Sequence, residues 1–181
     1  IRDYKVTGVQ TCALPISGRS FKLRDALKLL RTDMGPERYT YVLIDCPPSL
    51  NLLTVNAMAG ADAVLVPLQC EFFALEGLSQ LMRTVDMVRN SLNPTLEIQG
   101  VVLTMYDKRN SLSDQVAQDV RAHFGDKVYD TVIPRNVRVS EAPSFGKPVL
   151  IYDLNCTGSV AYLKLARELV QRERERQANA A

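Results

Sequence analysis

Apolar positions fall into two patterns along this chain. Short, nearly continuous runs occur at residues 41–45, 63–67, 100–105 and 131–133. Elsewhere apolar residues recur three or four positions apart over a dozen residues or so. The first pattern predicts strands covered on both faces, the second amphipathic helices. Phe21, Leu23, Ala26, Leu27 and Leu30 predict a helix over 21–30, broken at Met34-Gly-Pro-Glu-Arg38. Tyr41-Val-Leu-Ile-Asp45 predicts a buried strand, ended by Cys46-Pro47-Pro48 because two prolines cannot continue a central ladder. A short helix over 50–59 ends near Gly60, and residues 63–67 form the next strand. Leu75, Leu78, Leu81, Met82, Val85 and Val88 mark a helix that Asn93-Pro94 stops.

A third strand covers 100–105. Ser111 or Ser113 can cap the following helix, whose core positions are Val116, Val120 and Phe124, and Gly125 ends it. Thr131-Val-Ile133 is a short strand closed by Pro134, and Val149-Leu-Ile151 a further brief extended piece. The last helix spans about 160–177 and ends in a solvated charge run, Arg172-Glu-Arg-Glu-Arg176. Strands alternating with helices indicate an α/β fold, a mostly parallel sheet with helices on both faces. Ligands of such sheets gather at the carboxyl ends of strands, where Asp45 and residues 104–107 stand.

Composition narrows the class. The chain has 181 residues, 46% hydrophobic and 23% charged, which excludes a disordered or fibrous protein. Its net charge of +2 neither demands nor excludes nucleic acid, so such a partner must be argued from local basic residues. A single histidine, His123, excludes a His-rich metal site and sits better as a helix residue than as a catalytic base. Cys12, Cys46, Cys70 and Cys156 form no CxxC pair and read as reduced thiols of a cytoplasmic protein. No apolar run approaches the ~20 residues of a membrane span.

Residues 1–17 show neither periodicity, and Val6-Thr-Gly-Val-Gln-Thr-Cys-Ala-Leu-Pro-Ile16 resembles a translated sequencing adapter. They are read as a non-native, disordered leader, with 18–177 as the body and 178–181 as a tail.

Four apolar residues ahead of Asp45 make a Walker B-like strand end, where a carboxylate can hold hydrated Mg2+ beside phosphates. No G-x-x-x-x-G-K-[ST] phosphate cradle occurs. The one Gly-Lys pair, Gly146-Lys147, is followed by Pro148, and Glu141 stands where the first glycine should be. Two loops bring arginines: Lys108-Arg109, and Arg135 with Arg138 in Ile133-Pro-Arg-Asn-Val-Arg-Val139. Such loops can grip phosphate oxygens without reading bases.

Taken together, Tyr41-Val-Leu-Ile-Asp-Cys-Pro-Pro-Ser49, Val66-Pro-Leu-Gln-Cys-Glu-Phe-Phe-Ala-Leu-Glu-Gly77, Gly100-Val-Val-Leu-Thr-Met-Tyr-Asp107 and Ile133-Pro-Arg-Asn-Val-Arg-Val-Ser-Glu-Ala-Pro-Ser144 resemble the ParA family of chromosome- and plasmid-partitioning ATPases over residues 18–177. The resemblance implies a deviant Walker, P-loop NTPase-like fold that dimerises on ATP and binds DNA non-specifically. It implies hydrolysis stimulated by a ParB-type partner, and a cytoplasmic, nucleoid-associated location. It assigns Asp45 to the Walker B position, holding Mg2+ through water. Met105, Pro134, Arg135 and Asn136 fall around the adenine, and Arg109 and Arg138 match the family's DNA-binding arginines. Glu71 and Glu76 fall near its dimer interface.

The family's lysine-rich P-loop should precede Gly18 and does not occur in this sequence. The chain therefore reads as the C-terminal part of such an ATPase, inactive alone, with an apolar strand edge left exposed or wrongly paired. Two alternatives are a MinD-like membrane-cycling ATPase and a nucleotide-independent DNA- or partner-binding module. The arginine–glutamate alternation at 167–176 disfavours the first.

Overall fold

The computed structural model describes residues 16–33, 39–47 and 51–179. The predicted break at 34–38 and most of the predicted leader lie outside the described residues. A 3-10 turn, Ile16–Phe21, leads into α1 (Lys22–Asp33). α2 (Leu52–Gly60) is capped by Asn51, whose Oδ1 accepts the N–H groups of Leu53 and Thr54 at 3.0 and 3.1 Å. Strand β1 (Ala63–Gln69), helix α3 (Ala74–Ser91) and strand β2 (Glu97–Thr104) form a crossover unit with the two strands parallel. Their register runs from Ala63↔Glu97 to Gln69↔Thr104, with a shift between Val64 and Leu65.

α4 (Ser111–Phe124) follows. Asn110, not Ser111 or Ser113, supplies its cap, accepting from Leu112 N–H at 3.0 Å. Gly125, at φ 51°, ends it in the left-handed region, as its position predicts. His123 is exposed near that end, with its ring edge-on to Phe124.

Residues 128–134 lie parallel to β2 on its far side. Tyr129 N–H reaches Val101 O at 2.9 Å, and Ile133 N–H reaches Leu103 O at 2.8 Å. The predicted strand at 131–133 forms no ladder; isolated bridges, Val101↔Val128 and Tyr106↔Pro134, lie on either side of it. Short helices α5 (Val137–Glu141) and α6 (Val149–Tyr152) precede the long α7 (Thr157–Asn179).

The core forms on both faces of β2. Val101 and Leu103 point toward α3 and α4 and pack with Val66, Leu78, Val116 and Val120. Val102 points the other way, with Tyr129, Ile133 and Ala161, against Leu165 and Leu169 of α7. This confirms helices on both faces and explains the unbroken apolar run of β2.

The structure corrects four expectations. Residues 41–45 are extended but join no ladder, with Leu43 88% and Val42 53% exposed. An apolar run forms a buried strand only where neighbours offer main-chain groups, and among the described residues the sheet is β1 and β2 alone. On β1, Leu65 and Pro67 remain exposed while Val66 is buried, so one face of that strand is uncovered. Residues 149–151 are helical, because Pro148 starts a single turn whose carbonyl accepts from Ile151 and Tyr152. The charge run at 172–176 is only partly solvated. Arg172 donates to the Asp126 and Val128 carbonyls, and Arg176 donates to Gln99.

Candidate functional site

The carboxyl end of β2 turns sharply at Met105, which takes a positive φ of 53°. This is a strained conformation for a side chain of its size. The turn aims Tyr106 at the 133–135 segment. Tyr106 N–H donates to Ile133 O at 3.2 Å, and Arg135 N–H donates back to Tyr106 O at 2.9 Å. Main-chain bonds therefore hold Met105, Pro134 and Arg135 side by side. The Tyr106 hydroxyl donates to Asp114 on α4, which raises its pKa and fixes the ring.

Beside this junction lies a shallow cavity of about 270 Å3, lined by Asp107, Arg109, Arg135, Asn136, Val137 and Ser140. Asp107 accepts from Arg109 Nε at 3.1 Å and Nη2 at 2.9 Å, and from the Arg109 N–H at 3.0 Å. These bonds hold the Asp107 carboxyl down at about 2, with the charges of Arg109 and Arg135 assisting. The Arg109 side chain is itself 89% exposed. Asn136 is held at both ends of its amide. Its Oδ1 caps α5 through Arg138 N–H at 2.9 Å, and its Nδ2 donates to Thr157 Oγ1 at 2.8 Å.

Arg138 lies just beyond the cavity. It pairs with Glu141 at 3.1 Å and Asp153 at 3.6 Å, and the bond to Glu141 raises its pKa. Arg109 and Arg138 thus each carry an acidic partner and face any polyanion with part of their charge already offset. Asp45 does not line the cavity. It sits exposed in the 39–47 stretch; of the seven residues singled out in the sequence, Arg109, Arg135 and Asn136 line the cavity, Met105 and Pro134 adjoin it through the main-chain bonds at Tyr106, and Arg138 follows on α5. Desolvation raises the thiol of the buried Cys70 and, with the charge of Asp45 beside it, that of the exposed Cys46, so neither is activated as a thiolate.

Sequence reasoning missed Asp107 as the partner of Arg109 and Asn136 as a cap. The Asp-x-Arg spacing, and an Asn directly ahead of Val137-Arg138-Val139, are the signals that could have found them. Among the described residues there is no cluster of His, Cys, Asp and Glu able to hold a metal ion, and no helix long and apolar enough to cross a membrane.

A family model described as an AAA domain matches residues 3–98, more than half of the chain. The chromosome partitioning protein ParA of Caulobacter vibrioides is 74% identical over 179 residues, covering 99% of this chain and 66% of that protein. The chain thus spans about two thirds of the length of this relative. The structure of cobyrinic acid a,c-diamide synthase from Mycobacterium smegmatis with bound ATP analog and magnesium superposes with a TM-score of 0.69 at 34% identity, covering 86% of this chain and 55% of that one. The cell division ATPase MinD of Pyrococcus furiosus superposes at 0.65 and 26%, covering 84% and 58%. These neighbours share a P-loop NTPase-like α/β fold, and the higher identity favours the ParA reading over the MinD one. The chain belongs to the AAA domain family and, within it, to the ParA group of chromosome-partitioning proteins.

Proposed function

We propose that this chain supplies the base-binding and DNA-facing part of an ATP-dependent partitioning protein. That protein dimerises on ATP, binds nucleoid DNA non-specifically and hydrolyses ATP when stimulated by a ParB-type partner. The observation that carries the reading is the convergence of Met105, Pro134, Arg135, Asn136 and Arg109 at one strand end, beside a cavity of about 270 Å3. Strand ends of this kind collect ligands in parallel sheets.

The residues present fit one end of a nucleotide. The cavity suits a flat base, with main-chain groups at 134–136 and the aliphatic stem of Arg135 to pack against it. They do not fit the phosphate end. Asp45 stands apart from the cavity, and no glycine-rich turn opens a helix beside it. Asp45 as a water-mediated Mg2+ ligand is therefore a proposal for the longer protein, and no hydrolytic step is derived for this chain. The Mycobacterium neighbour with bound ATP analog and magnesium supports nucleotide and Mg2+ as the family's ligands.

Arg109 and Arg138 are proposed to contact DNA phosphates after exchanging their acidic partners for the polyanion. The test is a salt series of DNA-binding measurements on a full-length ParA protein carrying Arg109→Ala and Arg138→Ala. Weaker binding with a shallower salt slope is expected, since each phosphate contact contributes about 0.9 to that slope. An unchanged slope refutes the assignment. The same assay without nucleotide separates this reading from a nucleotide-independent module, which the isolation of Asp45 favours for this chain by itself. In that case DNA binding persists undiminished without ATP.

A further inference from the structure

The Arg109 side chain is turned back on its own loop. Asp107, two residues earlier, takes its Nε at 3.1 Å and its Nη2 at 2.9 Å. Two charge-assisted bonds to one carboxylate fix the direction of the guanidinium as well as its distance. The oxygen that holds Nε also accepts the Arg109 main-chain N–H at 3.0 Å. The turn is closed separately by the Asn110 N–H, which donates to the Asp107 carbonyl at 3.0 Å. Asp107 is the more sheltered partner, with 24% of its side chain exposed. It stays ionised at neutral pH, because its carboxyl is held down at about 2 and Arg135 contributes to that. One carboxylate therefore offsets two arginines of the cavity, Arg109 by contact and Arg135 through space.

We propose that Asp107 is a resident rival of DNA phosphate for Arg109 and limits how tightly the protein holds DNA; this rests on the DNA reading of Arg109 given above. Carboxylate and phosphate are both anions that fit the guanidinium fork. A phosphate that takes the Nε–Nη2 edge must displace Asp107. A phosphate that takes another edge comes within several ångströms of a fixed negative charge, where like charges repel. By either route the carboxylate subtracts from affinity. Arg138 is opposed in the same way by Glu141 and Asp153. Asp153, however, also accepts the N–H groups of Asn155 and Cys156 ahead of α7, so its removal would disturb that helix start. Asp107 offers the cleaner test. An asparagine there keeps the Oδ1 acceptor of the turn and loses only the charge.

The experiment is fluorescence anisotropy of a short mixed-sequence DNA duplex with a full-length ParA protein and ATP, over a salt series. Asp107→Asn should lower the Kd roughly two- to fivefold at low salt, the range an exposed ion pair spans. It should also steepen the salt slope by up to about 0.9, because Arg109 then meets phosphate with its charge no longer offset. Asp119→Asn makes the same change of net charge at an exposed position on α4 and should give a smaller gain. In an Arg109→Ala background the gain from Asp107→Asn should fall to that of Asp119→Asn. Weaker or unchanged binding by Asp107→Asn overturns the proposal, as does a full gain that survives without Arg109. If Arg109→Ala by itself leaves binding unchanged, the DNA reading fails and the proposal falls with it.

Discussion

Glu168 of α7 accepts the main-chain N–H of Thr131 at 2.9 Å, and its other oxygen takes the N–H of Asp130 at 2.8 Å. Four residues on, Arg172 pairs with Glu168 at 2.8 Å, donates to two carbonyls of the 126–128 turn and lies over the Tyr129 ring at 4.3 Å. The final helix thus supplies residues 128–133 with hydrogen bonds that a further strand would otherwise provide. To β2 itself that segment is joined by one isolated bridge, Val101↔Val128, and a second reaches Tyr106 just beyond it.

Burial pushes the Glu168 carboxyl up, but bonds from Thr131 and Asp130 and the charge of Arg172 outweigh it, and the net shift is downward. A lowered pKa contributes stability above the ordinary value of 4.5 and loses it on acidification. Glu168→Ala should lose about 1–3 kcal/mol at neutral pH, through two N–H groups left unpaired. Urea denaturation should show the gap to wild type narrowing as pH falls below the ordinary carboxylate range.

Gly100 approaches the same segment closely. A Cβ there would lie 2.5 Å from the Tyr129 ring and 2.7 Å from the Lys127 carbonyl, at a φ of 156°. Gly100→Ala should therefore force β2 and the 127–129 turn apart and cost roughly 1–3 kcal/mol. Thermal unfolding measures it, and a wild-type midpoint would contradict the packing described.

At the other end of α7, a Cβ on Gly158 would meet Val139 Cγ2 at 2.4 Å. Gly158→Ala should disturb α5 and, with it, the Asn136 cap. Adding Val139→Ala should recover most of the loss, because it removes the clashing methyl group. A double-mutant cycle reads the coupling, which should be of order 1 kcal/mol.

The Asp107–Arg109 pair gives a titration test. Asp107 should titrate at about 2, and Arg109→Ala should return it toward 3.8. Because its folded pKa is lowered, the pair's contribution is present above 3.8 and disappears as pH falls through about 2. Carboxyl NMR shifts report both states. The pair is exposed, so the shift should shrink in high salt.

Much of this was legible in the chain. The helix at 74–91 follows from Leu78, Val85 and Val88 recurring on one face, and the strand at 97–104 from an apolar run too dense for a one-sided sheet. The convergence of Arg109 with Arg135 and Asn136 was legible only through the motifs, because spacing alone cannot say that residues 26 positions apart share a cavity. The short helices at 137–141 and 149–152 escaped because a single turn carries too little periodicity to be read.

By itself, the sequence determined where burial is favourable: the apolar runs, the amphipathic faces and the left-handed stop at Gly125. Tertiary structure alone decided whether each run found a partner. Residues 41–45 are as apolar as 100–104, yet one is exposed and the other is buried in the sheet. Hydrophobicity measures what a segment gains by leaving water, but a strand also needs neighbouring main-chain donors and acceptors. Their presence depends on contacts distant in sequence. The same reasoning applies to charge. The chain names its arginines, but only the fold set Asp107 against Arg109, and Glu141 and Asp153 against Arg138.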